Sequence, residues 1–295
     1  MLLRLLLCLL LTWSAWARPL RFDLNGRDLN TLPNHPWWTY VGDLDLSFNS
    51  LSDLPAWTVT RWSGLLALDL GSNEFRQLPV ALFQLHKLER LSLRMNPLQE
   101  VDPRIGQLSN LRRLDLANAG LTDIPKTLDQ LIRLESLDLS GNCLRTLPLS
   151  YNRLTRLRTL NLAENQLTSI PDLIGCRSLQ SLTLRENHLR QLPAQWKHLQ
   201  HLNLLDLSGN ELTRLPEEIT RLPRLRELNL VNNPIHKLPK GLRSMRTLRL
   251  LYLDESCMPL LKLLELQSDM PWAEIVPIRA TSGAPKASKP DQGAK

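Results

Sequence analysis

The chain has 295 residues, of which 43% are hydrophobic and only 5% aromatic, and it carries a net charge of +7. This composition allows a substantial buried core, and its apolar part is mostly leucine. The four cysteines form no Cys-x-x-Cys pair and are not bunched at the chain ends. They therefore exclude a disulfide-capped module and argue against a zinc site.

Residues 1–17 predict a secretory signal peptide. Arg4 precedes a short apolar run, and the small residues Ala15 and Ala17 flank Trp16 as at a cleavage site. The run is shorter than the roughly 20 apolar residues that span a bilayer. The leader predicts a secreted or periplasmic protein. The alternative is an apolar segment that covers the first repeat of a cytoplasmic protein.

A repeated hexamer dominates the rest of the chain. LDLSGN occurs at Leu137–Asn142 and again at Leu205–Asn210, and related strings fill the chain on either side. The asparagines that close these strings lie at 49, 73, 96, 142, 165, 187, 210 and 233. Ala119 takes this position in the one double-length gap, and Arg27 and Ser256 take it in the first and last copies. Eleven copies with a period near 23 residues predict a solenoid.

The consensus LxxLxLxxNxLxxLP resembles the leucine-rich repeat family, in the proline-bearing form of Ras-linked intracellular scaffold proteins and many bacterial leucine-rich repeat proteins. The match covers residues 18–256. The resemblance implies an α/β repeat fold, a curved solenoid with a parallel sheet on its concave face. Short helices or 3₁₀ turns would occupy the convex side.

The residue pattern inside each copy agrees with this fold. Leu137 and Leu139 alternate with polar residues, which is the pattern of a strand with one buried face. The closing asparagine is expected to satisfy backbone groups where the chain leaves the strand. Apolar residues at i, i+3 spacing before each copy suit a turn of helix packed on the sheet. Cys176 falls in that column and is predicted to be a buried, inert thiol.

Two segments follow the last copy. Leucines within residues 257–278 predict an amphipathic helix that caps the open end of the solenoid. Residues 279–295 are rich in Pro, Gly, Ser and Lys and predict a disordered tail.

The sequence contains no motif that predicts catalysis. GxSxG, HExxH, GxGxxG and phosphate-loop strings are all missing, and the six histidines are scattered. We therefore expect no enzyme activity, no metal and no cofactor. Aromatic residues do not interleave with basic residues on the strands, which argues against nucleic acid. The predicted function is recognition of a protein partner through the concave face, while the oligomeric state is not predicted.

Copies four and five are the best local candidate for a partner site. The candidate residues are Arg90, Arg94 and Met95 of copy four, Arg113, Asp115 and Asn118 of copy five, and Arg185 and Glu186 of copy eight. Arginine is suited to bidentate recognition of carboxylate or phosphate. In the alternative reading, Arg90 and Arg113 simply pair with neighbouring acids. A column of aspartates between the strand leucines is typical of this repeat type and is treated as background.

Two alternative functions stay open. Basic residues in the connecting and convex segments of the last copies would suit an anionic glycan or lipid. These residues are Arg214, Arg221, Arg224, Lys237, Lys240, Arg243 and Arg246. In the second alternative, the solenoid is the targeting subunit of an enzyme complex. This function requires a partner chain that carries the active site.

Overall fold

The computed structural model describes residues 20–148, 153–171, 173–255 and 258–278. The predicted leader and tail lie outside the described residues, as do Ser256 and Cys257. The chain divides into two compact units, Met1–Leu137 and Asp138–Lys295.

The first unit is built on short parallel strands that pair in chain order. Its strands are β1 (Leu20–Asp23), β2 (Val41–Asp45), β3 (Ala67–Asp69), β4 (Arg90–Ser92) and β5 (Arg113–Asp115). Equivalent positions of successive copies are in register, so that Leu68 pairs with Leu91, and Leu91 with Leu114. Strand β6 (Ser136–Asp138) lies at the division between the units in the chain.

The second unit repeats this arrangement and ends with a strand that the sequence analysis did not predict. Its strands are β7 (Thr159–Asn161), β8 (Ser181–Thr183), β9 (Leu204–Asp206), β10 (Glu227–Asn229), β11 (Leu250–Asp254) and β12 (Glu274–Ile278). All of their pairings are parallel, and β12 pairs with β11. The segment beyond copy eleven therefore contributes a strand as well as a helix.

Short 3₁₀ helices connect most strands. They span Pro36–Tyr40, Val80–Gln84, Pro103–Gln107, Lys126–Gln130, Trp196–His198, Glu217–Arg221 and Lys240–Ser244. In copy two, whose period is one residue longer, the connection is instead an α-helical turn, α1 (Thr58–Arg61). The predicted α/β repeat fold, with parallel strands and short helical connections, is confirmed.

The core of each unit is a stack of leucines. Leu68, Leu91 and Leu114 are at most 2% exposed in the first unit, and Leu160, Leu182 and Leu205 at most 1% in the second. Cys176 is fully buried, and this burial raises the pKa of its thiol to about 12. The prediction of a buried Cys176 thiol is confirmed.

The closing asparagines form the predicted hydrogen-bond ladder. Asn187 is 1% exposed, and its Oδ1 accepts from the Leu167 backbone N–H of the preceding copy at 3.0 Å. Its Nδ2 donates to the backbone oxygens of Leu162 at 2.9 Å and Leu184 at 3.1 Å. Each buried amide thus links two copies, which confirms its expected role.

Where the ladder asparagine is missing, the backbone N–H that would donate to it finds another acceptor nearby. In most copies the N–H two residues after the asparagine donates to the asparagine of the next copy. The copy after Asn96 has Ala119 at this position, and the Leu98 N–H donates instead to the backbone carbonyl oxygen of Asn96 at 2.8 Å. Pro97 lies between these two residues and has no N–H of its own to satisfy.

The C-terminal segment contains the expected helix, α2 (Leu260–Asp269). Its buried residues are Leu263 and Leu266, and Arg243 forms an ion pair with Asp269 at its C-terminal end. Along the described parts of the chain, every helix is too short or too polar to cross a membrane.

Candidate functional site

The aspartate column of the exposed sheet face serves the backbone. Asp45 Oδ1 accepts from the Ser47 N–H at 2.9 Å, and Asp69 Oδ1 accepts from the Gly71 N–H at 2.8 Å. Asp206 makes the same bond to the Ser208 N–H in the second unit, at 2.9 Å. These carboxylates stabilise the turn where the chain leaves the strand. The acidic column is therefore largely structural, as the sequence analysis assumes.

Strand β4 departs from this column. Ser92 stands where the flanking strands have Asp69 and Asp115, so one negative charge is missing from the row. The Ser92 hydroxyl oxygen is buried and has no hydrogen-bond partner in the parts of the chain that the structure describes. Asp115 itself accepts from the Ala117 N–H at 3.0 Å. Strand β4 thus interrupts the acidic row with a neutral residue.

Two of the predicted arginines are neighbours on this face. Arg90 and Arg113 are register partners on β4 and β5, and both are exposed. Arg90 forms an ion pair with Asp43 at 2.8 Å, across the intervening Ala67 of β3. Within residues 20–148, Arg113 forms no ion pair. Both arginines line a shallow depression of about 230 Å³ on the sheet face.

A third arginine lies over a glycine. A Cβ built on Gly71 would be 2.9 Å from Arg94 Cγ and 3.0 Å from Asp69 Oδ1. A larger residue at this position would therefore displace the Arg94 side chain. In the first unit Arg94, like Arg113, forms no ion pair among described residues. Gly71 thus gives the exposed Arg94 side chain room to lie along the face.

In ten copies, the residue before the ladder position has a left-handed backbone. In the first unit these residues are Gly26, Phe48, Ser72, Met95 and Asn118, and in the second Gly141, Glu164, Glu186, Gly209 and Asn232, with φ from 53° to 67°. This conformation favours glycine and costs other residues about 1–2 kcal/mol. It explains the glycine of LDLSGN. Phe48 and Met95 are bulky exceptions, and each is 52% exposed.

The predicted residues of copies four and five therefore meet on one surface. Met95 lies at its rim, where its sulfur accepts a 3.6 Å hydrogen bond from the Ser72 hydroxyl. Met95 and Asn118 also line a shallow groove beside Ala119, the irregular position. We call Arg90, Arg94 and Arg113, together with Phe48 and Met95, the arginine–rim surface. Phe48 was not predicted from the sequence, although a phenylalanine at a position that favours glycine is visible there.

The remaining two candidates belong to copy eight in the second unit, where each lies against a neighbouring group. Arg185 forms an ion pair with Glu164. The Glu186 carboxylate lies over Gly209, since a Cβ there would be 2.5 Å from Glu186 Oε1. In the neighbouring loops, a hydrogen bond from Arg190 lowers the pKa of Glu211. Around copy eight, the charge of Arg185 is therefore already countered by Glu164.

The described residues contain no cluster of three or more His, Cys, Asp or Glu side chains that would hold a metal ion.

Comparison with known families identifies the repeat. A leucine rich repeat model matches residues 41–98, 87–144 and 177–235, and a two-copy leucine rich repeat model matches 132–175 and 155–196. No curated protein matches the chain significantly.

Several solved structures are similar to this chain. One is the leucine-rich repeat ectodomain of the plant membrane receptor kinase GASSHO1/SCHENGEN3 from Arabidopsis thaliana, in complex with Casparian strip integrity factor 2. It is 30% identical with a TM-score of 0.64, over 73% of this chain and 27% of that one. This chain thus spans about a quarter of that ectodomain. An internalin from Listeria monocytogenes is 18% identical with a TM-score of 0.65, over 87% of this chain and 81% of that one.

Proposed function

This chain belongs to the leucine-rich repeat family, and we propose that it is a non-catalytic module that binds a protein partner through the arginine–rim surface. Domains of this family are generally binding modules without catalytic activity. The exposed Phe48 and Met95 side chains, both held in left-handed backbone, carry the proposal. The repeat imposes this backbone on other copies as well, but Phe48 and Met95 place bulky apolar side chains there and leave them 52% exposed.

The chemistry of the surface suits a peptide segment of mixed character. Exposed aromatic and methionine side chains are enriched in protein interfaces, where they supply apolar contact area. Arg94 and Arg113 stand beside these anchors and are not neutralised by described residues of their unit. We infer that the partner presents an apolar side chain for the rim and a carboxylate for Arg113. Arginine recognises a carboxylate with two parallel hydrogen bonds.

The comparison with the plant receptor ectodomain supports a binding role of this kind, since that ectodomain was solved in complex with Casparian strip integrity factor 2. The arginine–rim surface also rests on a repeated framework of buried leucines and asparagines. A rigid framework holds side chains in place before binding, so that little conformational entropy is lost on association.

A triple variant, Phe48→Ser, Met95→Ser and Arg113→Gln, tests the proposal. Immobilised wild type and variant are exposed to extracts of the native host, and bound proteins are quantified by mass spectrometry. A partner of this surface is depleted at least tenfold by the variant. Its Kd, measured with purified protein, rises by the same factor, because loss of a hot-spot residue costs at least about 1–2 kcal/mol.

The matched control is Val80→Ser, Ile132→Ser and Arg76→Gln. It removes two exposed apolar side chains and one arginine from the same unit, outside the arginine–rim surface. The control should capture the same proteins as the wild type. If the triple variant retains every partner that the wild type and the control capture, the arginine–rim surface is not the binding site.

We further propose that the chain is exported and that residues 1–17 are removed. The predicted leader carries this proposal. The N-terminal residue of protein recovered from the native host tests it. A chain that begins at Arg18 outside the cytoplasm supports export, whereas a cytosolic chain that begins at Met1 contradicts it.

A further inference from the structure

Four arginines line one groove of the second unit, at the N-terminal ends of strands β10 and β11. They are Arg224, Arg226, Arg246 and Arg249, and the groove has a volume of about 590 Å³. Only Arg224 and Arg246 belong to the basic residues that the sequence analysis singles out. Arg243, from the same set, instead pairs with Asp269 of α2.

The repeat itself brings these arginines together. Arg226 and Arg249 each precede a strand by one residue, and the Arg249 N–H donates to the Arg226 oxygen at 2.7 Å. They are thus equivalent residues of successive copies, on strands about 4.7–4.9 Å apart. Arg224 and Arg246 precede the same two strands by a few residues and complete the groove.

Neutral groups hold three of the four side chains. The Arg246 guanidinium carbon lies 3.7 Å from the centroid of the Trp272 ring. Arg249 Nη1 donates to the backbone oxygens of Arg246 at 3.1 Å and of Trp272 at 3.4 Å. Arg224 Nη1 donates to Nδ1 of His201 at 3.1 Å, since arginine has no acceptor.

The charge of the groove is not neutralised by described residues. None of the four arginines forms an ion pair with a described residue. Two acidic residues are nearby: Glu227 directly follows Arg226, and Glu274 is the strand register partner of Leu250. Four like charges held together without a counter-charge are unfavourable, and a bound anion relieves the repulsion. The position of the arginines is therefore set by packing and by the repeat. Apart from Nη1 of Arg224 and Nη1 of Arg249, their guanidinium donors remain available for a ligand.

We propose that this groove is a binding site for an oxyanion, the phosphate or sulfate group of a ligand. Guanidinium groups offer planar pairs of N–H donors that match phosphate and sulfate oxygens. Stacking on Trp272 and the backbone bonds of Arg249 fix two of these groups before the ligand arrives. Binding therefore requires little ordering of long side chains.

The probe is inorganic pyrophosphate, titrated into the full-length chain by calorimetry at about 150 mM salt, near physiological screening. The groove variant carries Arg226→Gln and Arg249→Gln. The matched control carries Arg156→Gln and Arg158→Gln, which occupy the positions of Arg224 and Arg226 three copies earlier and remove the same charge. We expect the groove variant to bind at least tenfold more weakly and the control to bind within twofold of wild type.

Vesicles distinguish the source of the oxyanion. Groove-dependent binding to phosphatidylglycerol vesicles, and not to phosphatidylcholine vesicles, identifies a lipid headgroup as the ligand. Groove-dependent binding of pyrophosphate without vesicle binding identifies a soluble ligand, and either result supports the site. Equal weakening by the groove variant and the control would show diffuse electrostatic attraction and overturn the proposal, as would failure of the wild type to bind either probe.

Discussion

Replacement of Asn187 by alanine tests whether the asparagine ladder stabilises the repeats. The variant removes the only acceptor that the described residues give the buried Leu167 N–H, which lies 3.0 Å from Asn187 Oδ1 in the wild type. The oxygens of Leu162, Leu184 and Arg185 each lose the bond from Asn187. Each keeps one other bond, from Asn165 at 3.1 Å, from Asn210 at 2.9 Å and from the Glu164 N–H at 2.8 Å respectively. The variant therefore strands one donor and weakens three acceptors without orphaning them.

The magnitude follows from this count. A buried donor without a partner costs about 1–3 kcal/mol, and each lost hydrogen bond contributes about 0.5–1.5 kcal/mol net. We expect Asn187→Ala to lower the free energy of unfolding by about 3 kcal/mol. Urea denaturation measures this value, and an unchanged m-value shows that unfolding remains cooperative. Amide hydrogen exchange should accelerate at Leu167 more than at Leu212, whose N–H donates to Asn233.

The control is Asn30→Ala, because Asn30 is exposed and, among the described residues, its side chain makes only one long hydrogen bond, from Thr31 Oγ1 at 3.5 Å. This variant should change the free energy of unfolding by less than about 0.5 kcal/mol. If Asn187→Ala lowers the free energy of unfolding no more than the control does, or if the Leu167 amide keeps its protection from exchange, the asparagine ladder does not stabilise the repeats in this way.

Three further predictions address pH, buried donors and backbone strain. Burial raises the pKa of Cys176 from 9.0 to about 12. The buried neutral thiol is thus favoured below pH 9, and its stabilisation is lost as pH rises from 9 to 12. From pH 8 to 10 the free energy of unfolding should fall about 1.4 kcal/mol further in wild type than in Cys176→Ala, by urea denaturation; equal losses would contradict the assignment. Trp196→Phe should cost less than Trp272→Phe in thermal melts, because Trp196 Nε1 is buried without a described partner whereas Trp272 Nε1 donates to the Met245 oxygen at 2.8 Å. Met95→Gly should stabilise the fold by about 0.5–1 kcal/mol, and a lower melting temperature would refute strain at this residue.

The repeat made the fold predictable. Copies of one sequence place equivalent residues beside each other, so the strand register and the buried leucine column follow from the period alone. The role of the asparagine was predictable for the same reason, since every buried amide must find partners. The exception at Ala119 was visible in the sequence, but its repair by the Leu98 N–H required the loop geometry.

The sequence by itself determined the repeat, its register and its core, because these depend on which residues recur. Only the tertiary structure decided which charges meet. Arg90 pairs with Asp43 two strands away because the small Ala67 between them lets the guanidinium pass. The Arg246 guanidinium stacks on the ring of Trp272, a residue beyond the last copy. Long side chains reach past their nearest neighbours, so their partners depend on the size and position of residues that the repeat pattern does not specify.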